Sequence, residues 1–334
     1  MDGVSLFVVT LMIVVTILGA IDAHRDERDP RRFLVTSLGL FLAASTRDLL
    51  WIYVGFEAFS LSSIIRYPKL RGAPFRSRAM VGSGVALLGV LLVSVSSRTT
   101  DLAALEPTTA VKVGVLLFAA GLIIKWLQSR AEPFLFLGAS VALVVVFVRV
   151  AAWAPGVADE LETVTWFVAV AAIVAGGVGS ALATSTRSLG VWLTIFTVGL
   201  AVIALAGGAP ALPHLLMHLA ASIVVLALVL TGAPPAGTWL AMLSLASVPP
   251  FPGFVTKLAL LAGLPPGTLT IVLVGLVFIG IGCAREVERP KLFNDASTRD
   301  RSWVTLAALA MAFAFGMFPE TLMGAATRAA SGLF

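Results

Sequence analysis

Leu243-Ser-Leu-Ala-Ser-Val-Pro249-Pro250-Phe-Pro252-Gly253-Phe-Val-Thr-Lys257 lies inside one apolar run, Thr238–Leu264. Its three prolines and a glycine remove backbone donors and clash with the preceding turn, so a helix over this run must break or unwind. The run is long enough to cross a bilayer, and broken helices at membrane depth are tolerated where they line a cavity or an ion path. Lys257, just past the break, is therefore expected in a hydrated path where it can exchange a proton. The alternative is a Pro-kinked span whose lysine snorkels to a headgroup past the seven residues Leu258–Leu264.

The rest of the chain has the same solvent. Of 334 residues 59% are apolar, and the mean hydropathy is +1.01. Only 12% are charged, about half the share of a soluble domain. A soluble fold of this length needs a larger polar surface. The chain reads as an integral membrane protein, which excludes a disordered segment, a disulfide-rich secreted scaffold and a cytosolic enzyme. A net charge of +5 and a pI near 9.9 fit the basic loops of a membrane protein better than a nucleic-acid partner. The single Cys283 allows no internal disulfide and no paired metal or redox site. The first 21 residues lack a basic n-region and a cleavage site, so they read as a span and not as a signal peptide.

Apolar runs divided by charge, Pro or Gly clusters give about twelve transmembrane helices (eleven to twelve) in an all-α polytopic protein. They are Val4–Ile21, Phe33–Ser45, Leu49–Ile65, Ala79–Ser97, Thr109–Leu127, Phe134–Trp153, Val164–Ala183, Leu189–Ala206, Leu212–Thr231, Thr238–Leu264, Gly267–Cys283 and Trp303–Phe318. Phe33–Ser45 is the shortest, below the roughly 20 residues that a full crossing takes. The short alternating segments of a transmembrane barrel are absent. With alternating spans, sixteen Lys and Arg fall on one side and three, Arg47, Arg98 and Arg328, on the other. That split puts the basic side toward the cytoplasm or matrix and both termini opposite.

Four basic residues remain inside apolar runs: Lys112, Lys125, Arg149 and Lys257. Glu57 is the one acidic residue of the 18 that falls within a span. An ionisable group in the membrane costs at least a few kcal/mol and is a functional candidate by default. Glu57 is read as a proton-exchanging carboxylate, with a packing bond to Ser60 as the alternative. Lys125 is equally compatible with a functional and a snorkelling role, and Lys112 and Arg149, near span ends, read as interfacial. His214 and His218, four apart, share a helical face. With no Glu and no third ligand apparent, a proton relay or a structural pair suits them better than a metal. No phosphate loop, dinucleotide fingerprint or nucleophile elbow is present, so the chain performs no nucleotide or redox chemistry alone.

Ser244-Leu-Ala-Ser-Val-Pro-Pro-Phe-Pro-Gly-Phe-Val-Thr-Lys257 resembles the discontinuous helix of the antiporter-like membrane subunits of respiratory complex I, best the subunit 2 (bacterial subunit N) type. That type reads approximately Ser-Leu-Gly-Gly-Leu-Pro-Pro-Leu-Xaa-Gly-Phe-Xaa-Xaa-Lys, whereas the subunit 4 type carries Glu in place of the lysine. Arg47-Asp-Leu-Leu with Gly55-Phe-Glu57-Ala-Phe-Ser60-Leu-Ser62 is similar to the family's Asn-Asp-Leu-Leu and Gly-Leu-Glu-Leu-Leu-Ser-Leu. Gly121-Leu-Ile-Ile-Lys125 resembles the Gly-Xaa-Xaa-Phe-Lys of a first broken helix, and Gly316-Met-Phe-Pro319-Glu-Thr-Leu322 the family's last span. The resemblance covers roughly residues 33–330.

It implies antiporter-like inverted five-helix repeats with two discontinuous helices, and charged residues along the membrane midplane. The implied division is 1–32 as an N-terminal helix and loop, 33–153 as a degenerate first half-channel, 164–283 as the second, and 302–334 as a C-terminal helix. The implied function is proton translocation in the membrane arm of NADH:ubiquinone oxidoreductase. Glu57 would sense the neighbouring subunit, Lys125 relay protons, Lys257 pass them on, and His214 and His218 bridge the lysines. FMN, iron–sulfur clusters and ubiquinone would belong to other subunits, with no cofactor or metal in this chain. Its partners would be neighbouring antiporter-like and small membrane-arm subunits and lipids such as cardiolipin. Twelve spans against the family's fourteen fit a mitochondrial inner-membrane form lacking the first two. The Ala/Val/Gly-rich composition leaves the bacterial plasma membrane as the alternative. A multi-subunit cation/proton antiporter and a structural subunit that has lost transport are the rival readings.

The chain departs from the pattern in its first half. The span after Glu57 has no lysine, so Arg76 or Arg78 is expected to partner that carboxylate. A second family lysine is replaced near Ser140, and the Pro-Phe-His-Xaa-Trp-Leu-Pro segment after Lys125 is missing.

Overall fold

The computed structural model describes residues 3–25, 30–66, 73–205, 211–230, 235–249, 251–288 and 319–331. Among them thirteen α-helices follow one another. They are α1 (Gly3–Arg25), α2 (Pro30–Ser45), α3 (Leu49–Arg66), α4 (Ala73–Ser97), α5 (Thr109–Gln128), α6 (Pro133–Trp153) and α7 (Pro155–Leu182). After these come α8 (Thr186–Ala204), α9 (Leu212–Leu230), α10 (Pro235–Leu245), α11 (Pro252–Leu261), α12 (Pro266–Val287) and α13 (Pro319–Ala330). No strand occurs among the described residues, and one isolated bridge joins Asp48 to Asp101.

Hydrocarbon offers no hydrogen-bond partner to a backbone, so apolar runs of this length close their bonds internally as helices. Their ends are marked by short polar residues and prolines. The Asp48 carboxylate accepts from the Leu50 amide (2.9 Å), Thr108 caps α5 through the Val111 amide, and Ser185 caps α8 through the Ser188 amide. Proline occupies the first turn of α6, α11 and α12, where its missing N–H costs nothing.

Among the described residues seven helices are long and apolar enough to cross a membrane, and stretches of α2, α3 and α9 are shorter apolar helices. The expected run Thr238–Leu264 is split between α10 and α11. The expected span Trp303–Phe318 lies outside the described residues. This is an all-α polytopic membrane protein. The break expected in the first half is confined to a short 3-10 turn at Ser129–Ala131, after α5 has run on continuously through Lys125. No proline stands between Thr109 and Gln128, so nothing interrupts α5 earlier.

The chain forms two compact units, divided between Val164 and Thr165 within α7. In the first, α6 is the core helix, buried at nearly every position from Phe134 to Val148, and α1 and α2 pack on it. In the second, α9 holds the centre, with α8, α10, α11 and α13 around it. Outward faces stay apolar, as Leu88, Leu91 and Val95 on α4 and Val274, Val277 and Ile281 on α12 show, which suits lipid or another membrane protein.

Between helices in lipid there is little hydrophobic drive, so association depends on close contact at small residues. A Cβ on Gly39 would lie 2.5 Å from the Gly55 carbonyl, and one on Gly89 would lie 2.5 Å from that of Gly114. On α5, a Cβ on Gly121 would meet the Ala86 amide at 2.5 Å. These contacts draw α2 onto α3 and α4 onto α5. The contacts of α3 with α4 and α5 then bring the Glu57 carboxylate to Lys125.

Candidate functional site

In the first unit α3 supplies Glu57, α4 supplies Ser83 and α5 supplies Lys125. Lys125 Nζ pairs with Glu57 Oε1 at 2.8 Å, and Ser83 Oγ lies 3.1 Å from Glu57 Oε2. The lysine side chain is 1% exposed and the glutamate 18%, so the pair is closed on the Lys125 side and partly open at Glu57. Gly82 makes room for the lysine stem: a Cβ there would sit 3.1 Å from Lys125 Cγ. Lys125 does not snorkel.

Among the described residues Glu57 is held by Lys125 and Ser83, and not by Ser60 or Arg78. Arg78 is exposed, and Ser83 is the α4 residue that turns to the carboxylate. Arg76 is helical, but its side chain lies outside the described residues. Ser140, where the family resemblance places a lysine, instead accepts a hydrogen bond from the Trp126 indole at 2.7 Å. The same indole stacks on Phe136 with centroids 5.0 Å apart.

Arg149 corrects an expectation. It is fully buried and not interfacial. Its guanidinium donates to the Thr46 carbonyl just past α2 and to Ser5 Oγ on α1 (2.5 Å), and lies 5.3 Å over the Trp153 ring. A carbonyl at a helix C-terminus, a hydroxyl and an aromatic face together hold the cation where lipid would not. Sequence position alone does not reveal these acceptors, which stand more than 100 residues away.

In the second unit the site is a helix end. α10 closes with the Ser247 amide donating to the Ser244 carbonyl (3.1 Å) and the Val248 amide to the Leu243 carbonyl (2.9 Å). Those two bonds, with Ser247 at φ 64°, make a Schellman cap. The chain then passes Pro249 and turns into α11, which opens at Pro252; Pro250 lies outside the described residues. Ser244 Oγ accepts from the Gly253 amide at 3.2 Å, and any Cβ at Gly253 would run into the Ser244 carbonyl. Glycine is required there by close approach.

The break leaves the Leu245 carbonyl without an intrahelical donor, and Lys257 reaches back to supply one. Its Nζ donates to that oxygen at 2.5 Å and to Ser247 Oγ at 3.0 Å. Lys257 is buried, and no carboxylate pairs with it among the described residues. The ammonium is balanced by the negative end of α10.

His214 and His218 lie on one face of α9. His218 is fully buried, with Nδ1 3.4 Å from Thr256 Oγ1 and 3.3 Å from Ser222 Oγ. Thr256 is the neighbour of Lys257, so this histidine belongs to the α9–α11 contact beside the lysine. His218 Nε2 and His214 Nδ1 are buried without a hydrogen-bond partner among the described residues. No third His, Cys, Asp or Glu joins them there.

No protein-family model matches the chain. It is 25% identical over 407 residues to NADH-quinone oxidoreductase subunit N of Methylobacterium nodulans, covering 100% of this chain and 84% of the relative. With the same-named subunit of Erythrobacter litoralis it is 27% identical over 392 residues, covering 97% and 80%. Among solved structures it is similar to a chain of the Mrp complex from Dietzia, with a TM-score of 0.84, 18% identity, and coverage of 100% and 84%. A chain of respiratory complex I from Thermus thermophilus matches with a TM-score of 0.77, 20% identity, and coverage of 97% and 86%. The resemblance drawn from Lys257 and Glu57 is borne out: the fold is that of the antiporter-like membrane subunits, and the sequence relatives are of the subunit N type.

Proposed function

We propose that this chain, similar throughout to the subunit N type, is a proton-translocating membrane-arm subunit of an NADH:quinone oxidoreductase. It performs no redox chemistry itself. The observation that carries the reading is Lys257, buried at a broken helix and held by backbone and hydroxyl oxygens, with no carboxylate paired to it among the described residues. A cation so placed can give up its proton without leaving a buried carboxylate uncompensated. Flavin, iron–sulfur clusters and quinone belong to other subunits, and the chain carries no cofactor or metal of its own.

Each charged group then has a role. Glu57, the more open member of its pair, responds to charge or movement in the neighbouring subunit. Weakening its hold on Lys125 frees that lysine to exchange its proton. Lys257 passes protons in the second half, with His218 reached through Thr256 and His214 one turn away on α9 as relay groups. The partners are other membrane-arm subunits, with anionic lipid such as cardiolipin at the outer faces. The bacterial relatives support the plasma membrane over the mitochondrial inner membrane, and the loop charges support both termini on the outer side. Residues 33–153 and 164–283 are the two half-channels, the first degenerate.

Lys257→Ala in the assembled complex should lower NADH-driven proton translocation with quinone reduction still possible. An unchanged proton-to-electron ratio and rate overturns the assignment. The fold shared with the Mrp complex keeps a subunit of a multi-subunit cation/proton antiporter as the second reading. Co-purification with flavin and iron–sulfur proteins from a gentle membrane extract selects the first, and cation-dependent proton exchange without them selects the second.

A further inference from the structure

Ser247 stands at a position of the break where backbone geometry asks for glycine, the residue that the subunit N pattern has there. At φ 64° it takes the left-handed conformation of a Schellman cap, which glycine adopts freely and a residue with a Cβ adopts at a cost. Arg98 is the only other non-glycine residue with positive φ among those described. A strained residue at a functional element is maintained when its side chain does something glycine cannot.

Here the side chain does. Ser247 Oγ lies 3.0 Å from Lys257 Nζ and accepts one of its hydrogens, while the Leu245 carbonyl accepts a second at 2.5 Å. Both acceptors belong to the end of α10, ten and twelve residues before the lysine. A carbonyl alone fixes the ammonium in distance but lets it swing. Two acceptors set its direction and leave one N–H of the three as the route for a proton. A hydroxyl can also turn from accepting to donating, so it stays bonded to Lys257 once the amine is neutral.

We infer that Ser247 is a positioning residue for proton transfer at Lys257, kept in a strained backbone conformation because its hydroxyl holds the lysine in both protonation states. The inference rests on the reading of Lys257 as a proton carrier.

The test uses the assembled complex in native membrane vesicles, with NADH-driven acidification, complex abundance and thermal stability measured together. Ser247→Gly relieves the backbone strain, so the complex should assemble fully and be no less stable than wild type. Its coupled proton translocation should nevertheless fall roughly tenfold, the factor for losing one hydrogen bond to a charged group. Ser247→Asn tolerates the left-handed conformation and returns an oxygen, and should restore most of the rate. Wild-type pumping by Ser247→Gly, beside a defective Lys257→Ala control, overturns the role of Ser247 and leaves that of Lys257 standing. Normal pumping by Lys257→Ala overturns the reading of the site and this inference with it. Should Ser247→Gly fail to accumulate, Ser247→Ala against Ser247→Asn decides: equal rates overturn the inference, and a lower rate in the alanine variant supports it.

Discussion

Two buried lysines of this chain are held in opposite ways. Lys125 sits on an unbroken helix and is neutralised by a carboxylate, Glu57, 2.8 Å away. Lys257 sits just past a break and is bonded to a carbonyl and a hydroxyl of α10, with no anion paired to it among the described residues. A charge balanced by a charge is sensitive to any third charge that approaches, and it becomes costly when its partner is removed. A charge balanced by a helix end depends on the shape of that end, because the oxygens are aimed by the backbone. The first arrangement suits a group that must respond to a neighbour. The second suits a group whose proton comes and goes while its surroundings stay in place.

The contrast breaks most readily at Glu57. Glu57→Gln leaves the Lys125 ammonium buried and unpaired and should destabilise the subunit by about 3–5 kcal/mol. Complex abundance and thermal unfolding report the loss, and adding Lys125→Met should recover most of it. Failure of the double variant to recover shows that the two residues are not energetically coupled. Lys257→Met should be milder, on the order of 2 kcal/mol, since it removes a helix-end cation and leaves one carbonyl unbonded. A cost equal to that of Glu57→Gln would mean that Lys257 also has a fixed anionic partner.

Two smaller changes sharpen the comparison. Gly82→Ala places a methyl against the Lys125 stem and should cost about 1–2 kcal/mol by overpacking, with a weakened ion pair seen as lowered coupled turnover. Ser140→Ala removes the acceptor of the Trp126 indole and should cost about 1 kcal/mol with little effect on turnover. A large loss of proton translocation in Ser140→Ala instead would give the first half a relay at the position where the resemblance places a lysine.

What could be read in advance follows the range of the interactions. The break at Pro249–Gly253 is local chemistry, so it was visible in the sequence, and so was the place of Lys257 just past it, though the sequence pointed to a hydrated path and the lysine is buried. The apolar runs and the low share of charge gave the membrane class for the same reason. The ion pair was not visible, because periodicity puts Glu57 and Lys125 on helices without saying which faces meet across 68 residues. Arginine at the mouth of α4 therefore looked the better partner. The glycines Gly82 and Gly89 on α4, and Gly114 and Gly121 on α5, recur at seven residues and mark the α4–α5 contact that seats Lys125, but nothing comparable marks the face of Glu57. The cap on α10 was hidden for another reason. Its key residue is a serine where the local rule asks for glycine, and only the placed hydroxyl explains it.

Arg149 carries a consequence for how the chain is made. Its acceptors, Ser5 on α1 and the Thr46 carbonyl beyond α2, are synthesised more than a hundred residues before it. An arginine entering hydrocarbon alone is expelled or drags water with it. As α6 leaves the ribosome, the earlier helices must already be in the bilayer with those oxygens turned inward, or the segment cannot settle. Biogenesis of the first unit is thereby given a direction, from α1 toward α6.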